Sequence, residues 1–499
     1  MRPSPIAPPP VESGRATSSG PLGADPRLRL AVLLVLAMAL VRLILTVRLG
    51  LFNDEAYYWE WSRHLAPSYY DHPPLVAYLI AASTRLFGRT VFAVHFPALA
   101  LSVATTLVLG LFAADLFPGR PGVVAWTLLA ANACPLFGLG AVFTTPDAPC
   151  TFFWILTAFL VWRALHGEKG LFLLAGMSAG LGMLSKYNFV LLPLALLLYL
   201  AHKERRRWLG RKEPYLAAAL MLLGLLPVLL WNATHDWASF RFQFVDRHLG
   251  PFQPLSTLRR YLVAQQSVSP LIWLACLAGT VRSYLRARRG DEAHALLFAC
   301  TATVLGFFGA WSFFTWVNPN WCATAFLTAI VSAAELMDGL GSRALRMAPI
   351  ALGAALTLLF YAQALWLLLP IPPKVDFATD LTGWDEVGVR LRLLKSEMPD
   401  PARTFVYSGR FQLSALAAFY GGEGLFVTRL GGRADEYDAW RGEAHLSGED
   451  AIAFSDDEHA LVPGGEPFKA CEPAGTLPIV RRGRTIRSFS FWRCSGYAP

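Results

Sequence analysis

Charge is what this 499-residue sequence has least of. Asp, Glu, Lys and Arg together make up 16% of it, where a soluble globular chain carries about 25%. That deficit argues against a wholly soluble enzyme. Cysteine is scarce too, and seven in a chain of this length exclude a small disulfide scaffold. Disorder is excluded for most of the chain, because 55% of the residues are hydrophobic and 13% aromatic. The phosphate-binding P-loop, the Rossmann glycine pattern, a paired zinc motif and the G-x-S-x-G elbow are all missing.

What is present is sorted along the chain. Residues 1–370 hold 29 basic and 17 acidic residues, a net +12, whereas residues 371–499 hold 15 and 18, a net −3. An apolar, basic body is therefore followed by a polar domain of ordinary composition. The basic residues lie between apolar runs, which is a pattern of membrane topology and not a nucleic-acid footprint.

Apolar runs near 30–48, 91–116, 122–142, 148–165, 170–185, 188–202, 214–230, 258–281, 293–314, 322–340 and 347–369 predict eleven spans. The first, preceded by Arg27 and Arg29, reads as a retained signal-anchor helix. Alternate connections carry Arg120, then Arg163 and Lys169, then the basic cluster from Lys203 to Lys212. Arg282 to Arg289 follow, then Arg343 and Arg346. By the positive-inside rule these share the cytoplasmic side with the N-terminal arm, and eleven spans leave the C-terminal domain outside. Amphipathic stretches at 54–64, 74–87 and 235–248 read as helices lying on the outer membrane face.

The expected fold is an α-helical polytopic membrane protein with a small C-terminal α/β domain. Residues 1–27, rich in Pro, Ser and Gly, form a disordered cytoplasmic arm. Residues 28–370 form the membrane domain, with interfacial helices in 49–90 and 231–257, and 371–499 form the outer domain. In that last part β-like runs at 404–408 and 488–492 flank helical stretches near 384–396 and 411–420. Cys471 and Cys494 are its only cysteines and read equally well as a disulfide or as two thiols.

The outer connections hold the chemistry-bearing residues. Asp54 and Glu55 follow the first span directly, where two carboxylates are costly unless solvated, paired or used. One of them can act as general base on an acceptor hydroxyl; alternatively Asp54 caps a helix and Glu55 fills its first turn. Asp71 and His72 can hold a phosphate, a metal or a substrate hydroxyl, or can cap the helix that Pro73 and Pro74 begin. Asp147 sits at an N-terminal helix position, where capping is the default. Lys186, beside Tyr187, can bind an anionic phosphate or snorkel to headgroups. Arg247 and His248 add a second cationic site, or contact lipid headgroups. Carboxylates to activate a nucleophile and cations to meet a leaving phosphate, on one face, suit transfer from a lipid-phosphate donor. A polytopic secondary transporter or lipid flippase is the alternative, although transporters place essential polar groups nearer the bilayer midplane.

The strings NDEAYYWEWSRHL, YYDHPPLVAYL, TTPDAP and GLGMLSKYNFVLLP, with Pro319-Asn320-Trp321, resemble polyprenyl-phosphate-dependent GT-C glycosyltransferases. The branch resembled includes the lipid A aminoarabinose transferases and is related to protein O-mannosyltransferases. The resemblance implies a GT-C fold in the bacterial inner membrane. It also implies inverting transfer of one sugar from undecaprenyl phosphate to lipid A, a cell-envelope glycan or a protein at the periplasmic face. Carried over, Asp54 is the base or acceptor-orienting acid, Glu55 supports it and Asp147 positions substrate. Lys186, Arg247 and His248 are candidates for the lipid phosphate, and Asp71, His72 and Tyr187 join them in the expected set that binds lipid phosphate or sugar. No nucleotide cofactor is implied. A divalent metal has candidate ligands in Asp71, His72 and His248 but no closed set. His72 stands where aminoarabinose transferases have a lysine, which argues against carrying over that sugar specificity.

Overall fold

The first apolar run folds as α1 (Pro26–Arg48), with Asp25 as N-cap: its carboxylate accepts the Arg27 N–H at 2.7 Å. Pro26 suits the first helical position, where its missing N–H has no intrahelical partner to lose. The structure is a computed structural model and describes residues 25–245, 254–442, 446–461 and 467–498. Most of the expected N-terminal arm lies outside the described residues, and Pro26 and Arg27 are already helical.

Two short helices follow, α2 (Asn53–Arg63) and α3 (Leu75–Phe87), at the positions expected to lie on the membrane face. The body continues with α4 (Val91–Leu116), α5 (Pro121–Ala133), α6 (Pro135–Gly140), α7 (Asp147–Leu165), α8 (Leu171–Met183) and α9 (Leu191–Ala201). Then come α10 (Lys212–Thr234), the short α11 (Ala238–Phe244), α12 (Pro254–Ala264), α13 (Pro270–Ala287), α14 (Glu292–Trp311), α15 (Ala323–Asp338) and α16 (Arg343–Trp366). All eleven expected spans coincide with helix, but length and hydropathy do not confirm the count of eleven. Seven helices among the described residues are long and apolar enough to cross a membrane, eight if the bent pair at 255–287 is one span. The runs at 122–142, 170–185 and 188–202 yield helices too short to qualify, because Cys134 and the turn at 184–190 interrupt them. The bent pair turns by 102° at Ser269, whose backbone has a positive φ of 86°.

Large apolar side chains on α1, α8 and α10 point outward, as a lipid solvent demands; Leu33, Met177 and Leu223 are examples. Inside, helices meet through small residues. A Cβ on Gly224 of α10 would lie 2.6 Å from the Gly180 Cα on α8, so only glycine permits that approach.

After α16 the chain forms the short α17 (Phe377–Asp380), then α18 (Trp384–Ser396), α19 (Phe411–Gly421) and α20 (Glu436–Gly442) around a mixed sheet. Its strands are β1 (Thr404–Ser408), β2 (Val427–Arg429), β3 (Asp450–Asp456), β4 (Phe468–Arg481) and β5 (Arg484–Tyr497), in the order β2-β1-β3-β5-β4. β1 pairs in parallel with β2 and β3, while β5 runs antiparallel to β3 and β4. The edge strand β4 was not anticipated. Its prolines at 473 and 478 and its exposed surface mask it as a loop, and proline is tolerated only at such an edge. Cys471 and Cys494 face each other across β4 and β5 and are joined in a disulfide.

This domain is clamped onto α2 and α3. Arg89 lies between the rings of Trp59 and Phe419 and donates to the Ala418 and Phe419 carbonyls. The Tyr420 hydroxyl accepts the Leu51 N–H at 2.9 Å, and the Tyr57 hydroxyl accepts the Glu436 N–H at 3.1 Å.

Candidate active site

The cap of α2 decides what Asp54 and Glu55 can do. The helix begins at Asn53, two residues earlier than an Asp54 cap would require, so Asp54 lies inside the first turn. There the helix dipole favours its negative charge. Its N–H donates to Asn53 Oδ1 at 2.8 Å, and Gln412 Nε2 approaches its Oδ1 at 3.4 Å. Successive helical side chains diverge by about 100°. The Asp54 carboxylate therefore lines a cavity, while Glu55 points the other way and is wholly buried.

Glu55 is a strut. Its oxygens accept the Thr144 N–H at 2.7 Å and the Phe52 N–H at 3.3 Å, and one lies 3.0 Å from His95 Nε2. His95 Nδ1 sits 3.1 Å from the Thr46 carbonyl, which can only accept, so that nitrogen carries a proton. Glu55 thus ties α2 to α1, α4 and the loop before α7. Glu55 is directed away from the cavities that Asp54 lines, a position that suits support of Asp54.

Three cavities meet at this level. The first, of about 430 Å³, reaches into the helical body and is lined by Asp54, Tyr58, Asp147 and Lys186, with Arg42 and Asn132 deeper in. The second, of about 420 Å³, lies between α2 and the C-terminal domain and is lined by Asp54, Tyr58, Asp71, Arg410, Gln412 and Arg433. The third, of about 260 Å³, is apolar, with Tyr187, Phe308, Trp311 and Trp321 in its wall and Lys186 at its edge. His72 lines all three, and Asp54 stands between the first two.

Asp147 is the first residue of α7, but its side chain does not cap that helix. One oxygen takes Lys186 Nζ at 2.7 Å and the other takes Asn320 Nδ2 at 2.7 Å. Lys186 is buried in this pair, so snorkelling to headgroups is set aside. An ammonium has three donors, and Asp147 uses one of them. The Tyr187 hydroxyl lies 2.6 Å from Ser239 Oγ, which fixes the ring in the wall of the third cavity.

Asp71 does not cap α3, which starts at Leu75 behind Pro74. It instead accepts Arg433 Nη2 at 2.6 Å, and that guanidinium sits 4.7 Å from the ring centres of both Phe242 and Phe411. Beside it, Glu436 accepts the Tyr70 N–H. Burial, together with Asp71 and Asp435 nearby, pushes the Glu436 carboxyl up to about 8. Arg247 and His248 lie outside the described residues. Among the described residues no three His, Cys, Asp or Glu side chains are grouped to hold a metal ion, and Asp71 is engaged by Arg433.

Sequence reasoning overlooked Arg42, whose guanidinium bonds Asn132 Oδ1 at 2.8 Å and the Tyr361 hydroxyl at 3.1 Å. Its signal was available: a charge inside an apolar run is a functional candidate by default. Arg410, Gln412 and Arg433 carried no such signal, because they lie in an ordinary polar domain and reach the site only through docking.

A family model described as dolichyl-phosphate-mannose-protein mannosyltransferase matches residues 71–231. A lipid A galacturonosyltransferase (RgtD) of Rhizobium johnstonii is 30% identical over 321 residues, covering 62% of this chain and 66% of that enzyme. An undecaprenyl phosphate-alpha-4-amino-4-deoxy-L-arabinose arabinosyl transferase of Edwardsiella ictaluri is 26% identical over 326 residues, 59% of this chain and 57% of that one. The chain thus spans just under two thirds, or less, of the curated relatives it matches. The crystal structure of ArnT from Cupriavidus metallidurans, apo or bound to undecaprenyl phosphate, superposes with a TM-score of 0.61 at 16% identity. It covers 92% of this chain and 97% of that one. The fold is therefore that of ArnT, a multi-pass helical body carrying a small sheet domain. In sequence and in fold the chain is a relative of the polyprenyl-phosphate-dependent GT-C glycosyltransferases.

Proposed function

We propose that the protein is an inverting glycosyltransferase of the bacterial inner membrane. It moves one sugar from undecaprenyl phosphate to an acceptor on lipid A, another envelope glycan or a protein. One observation carries this reading. Asp54 stands between a cavity that enters the helical body and a polar cavity beneath the C-terminal domain, with the Lys186–Asp147 pair in the wall of the first.

In the reaction, an acceptor oxygen in the polar cavity attacks the anomeric carbon of the donor sugar. Its proton passes to Asp54, and the bond from that carbon to the phosphate oxygen breaks with its electron pair. A single displacement inverts the anomeric configuration. The leaving polyprenyl phosphate gathers negative charge, which the remaining Lys186 donors and His72 are placed to meet. The apolar third cavity, bordered by Lys186 and His72, suits the first isoprene units of the lipid.

The N-terminus is cytoplasmic, and residues 371–499 and the site are periplasmic. The sorting of basic residues supports this sidedness, as does the Cys471–Cys494 disulfide, which belongs in an oxidising compartment. Residues 28–370 form the membrane catalytic domain. The polar groups gather at the span ends facing the sheet domain, which suits surface chemistry better than carriage across the bilayer.

The test is release of undecaprenyl phosphate from sugar-loaded donors by the purified protein with envelope acceptors. Asp54→Asn is expected to lower turnover by about 100-fold or more. Transfer at the native rate by that variant would remove Asp54 from the chemistry, and no consumption of any polyprenyl donor would remove the transferase reading.

A further inference from the structure

Far from the candidate active site, the β4–β5 hairpin ends in a turn that favours charge over conformational ease. Arg481 and Arg484 pair across it, which leaves Arg482 and Gly483 as the two turn residues. Both are left-handed, at φ 51° and φ 71°. Two-residue hairpin turns of this kind prefer Asn-Gly, because a longer side chain gains nothing from a backbone that crowds its Cβ. Arg482 takes this left-handed backbone although it has a Cβ.

The cation faces the end of the last span. Arg481, Arg482 and Arg484 line a notch of about 180 Å³ with Leu367, Leu368 and Leu369, the residues that follow α16. Leu368 and Leu369 are exposed, as is Trp366 at the final turn of α16. The notch therefore stacks a cationic rim on an apolar floor where the chain leaves the membrane.

Charge bookkeeping shows what the notch lacks. Asp376 also lines it, but one oxygen accepts Gln363 Nε2 at 2.6 Å and the other the Ala378 N–H at 3.1 Å. Glu386 takes Arg481. Among the described residues no carboxylate lies within ion-pair distance of Arg482 or Arg484. Two guanidiniums beside the end of α16 without protein anions fit a phosphate, and guanidinium forks match its oxygens.

We infer that this notch binds the phosphate of an anionic lipid headgroup in the leaflet that α16 exits, with the acyl chains lying along Leu368, Leu369 and the last turns of α16. A lipid and a soluble phosphate share the headgroup chemistry. The exposed leucines beneath the arginines favour the lipid, since a free phosphate has no use for an apolar floor. The site stands apart from the transfer reaction and does not depend on it.

The probes are short-chain phosphatidylglycerol, short-chain phosphatidylcholine and inorganic phosphate, each titrated into the full-length protein in neutral detergent. Phosphatidylglycerol is expected to bind, phosphatidylcholine to compete poorly, and inorganic phosphate to compete only at much higher concentration. Arg482→Ala with Arg484→Ala is expected to weaken phosphatidylglycerol binding by about tenfold or more. Arg482→Lys with Arg484→Lys, which keeps the charges and loses the forks, should bind more tightly than the alanine pair and less tightly than the native protein. Both pairs change exposed side chains, so folding is preserved. Equal binding of the two lipids, or unchanged binding by the double alanine variant, overturns the site. Inorganic phosphate binding as tightly as phosphatidylglycerol overturns the lipid as its occupant.

Discussion

Lys186 Nζ lies 2.7 Å from Asp147 Oδ1, across 39 residues of chain, and both side chains are largely buried in the wall of the cavity that Asp54 enters. Asn320 holds the second Asp147 oxygen. The carboxylate thus aims the ammonium while leaving it donors to spare.

Lys186→Met is therefore expected to raise KM for the polyprenyl donor and to lower kcat/KM by about 10- to 100-fold, the worth of a charge-assisted hydrogen bond. Asp147→Asn should act differently. It leaves a buried ammonium without its anion, at a cost of up to about 3–5 kcal/mol. Steady-state kinetics and thermal unfolding in detergent separate the two. An unchanged donor KM in Lys186→Met would remove Lys186 from phosphate binding.

Glu55 is expected to behave as a structural member. Its carboxylate contacts His95 and two backbone N–H groups with no exposure, so Glu55→Ala should cost about 3 kcal/mol or more of stability. Glu55→Gln keeps an acceptor for Thr144 and should lose less. The fraction that remains folded should retain a donor KM close to native. A folded Glu55→Gln protein with native stability and no turnover would return Glu55 to the chemistry.

The contact between Glu436 and the Tyr70 amide should depend on pH. Burial, then Asp71 and Asp435, raise the carboxyl from 4.5 to about 8, so the folded protein holds a proton that the unfolded chain has released. Stability from this group is full below the unfolded value and is lost as pH rises from about 4.5 to about 8. The clamp between the loop before α3 and the sheet domain is expected to be tighter at pH 6 than at pH 8. Hydrogen exchange of 68–74 at the two pH values reads this directly. Glu436→Gln should flatten the difference, and an unaltered difference in that variant would assign the slope elsewhere.

Much of the architecture was legible because membrane helices are written in composition. Runs of apolar residues with basic connections point to helical spans whatever their neighbours do, and α18 falls at the 384–396 expected from its pattern. The span count was less legible. Cys134 breaks an apolar run without any charge to mark the break, so hydropathy reads through it. Edge strand β4 was hidden for the opposite reason, since exposed polar residues and prolines look like loop. The site divides along the same line. Asp54, Asp147 and Lys186 stood out as charges beside apolar runs, whereas Arg410 and Arg433 did not, in a domain where charge is ordinary.

By itself the sequence determined a membrane body, a polar domain after it and a short set of charged residues at the span ends. It could not divide the labour between Asp54 and Glu55. Neighbours on a helix point about 100° apart, and which direction is a cavity and which is His95 depends on the elements packed around α2. Only the tertiary structure decided that one carboxylate faces the cavities while the other is locked against His95. It alone brought Arg433 onto Asp71 from 362 residues away. Hydropathy is a property of each residue and survives in the sequence; facing is a property of packing and does not.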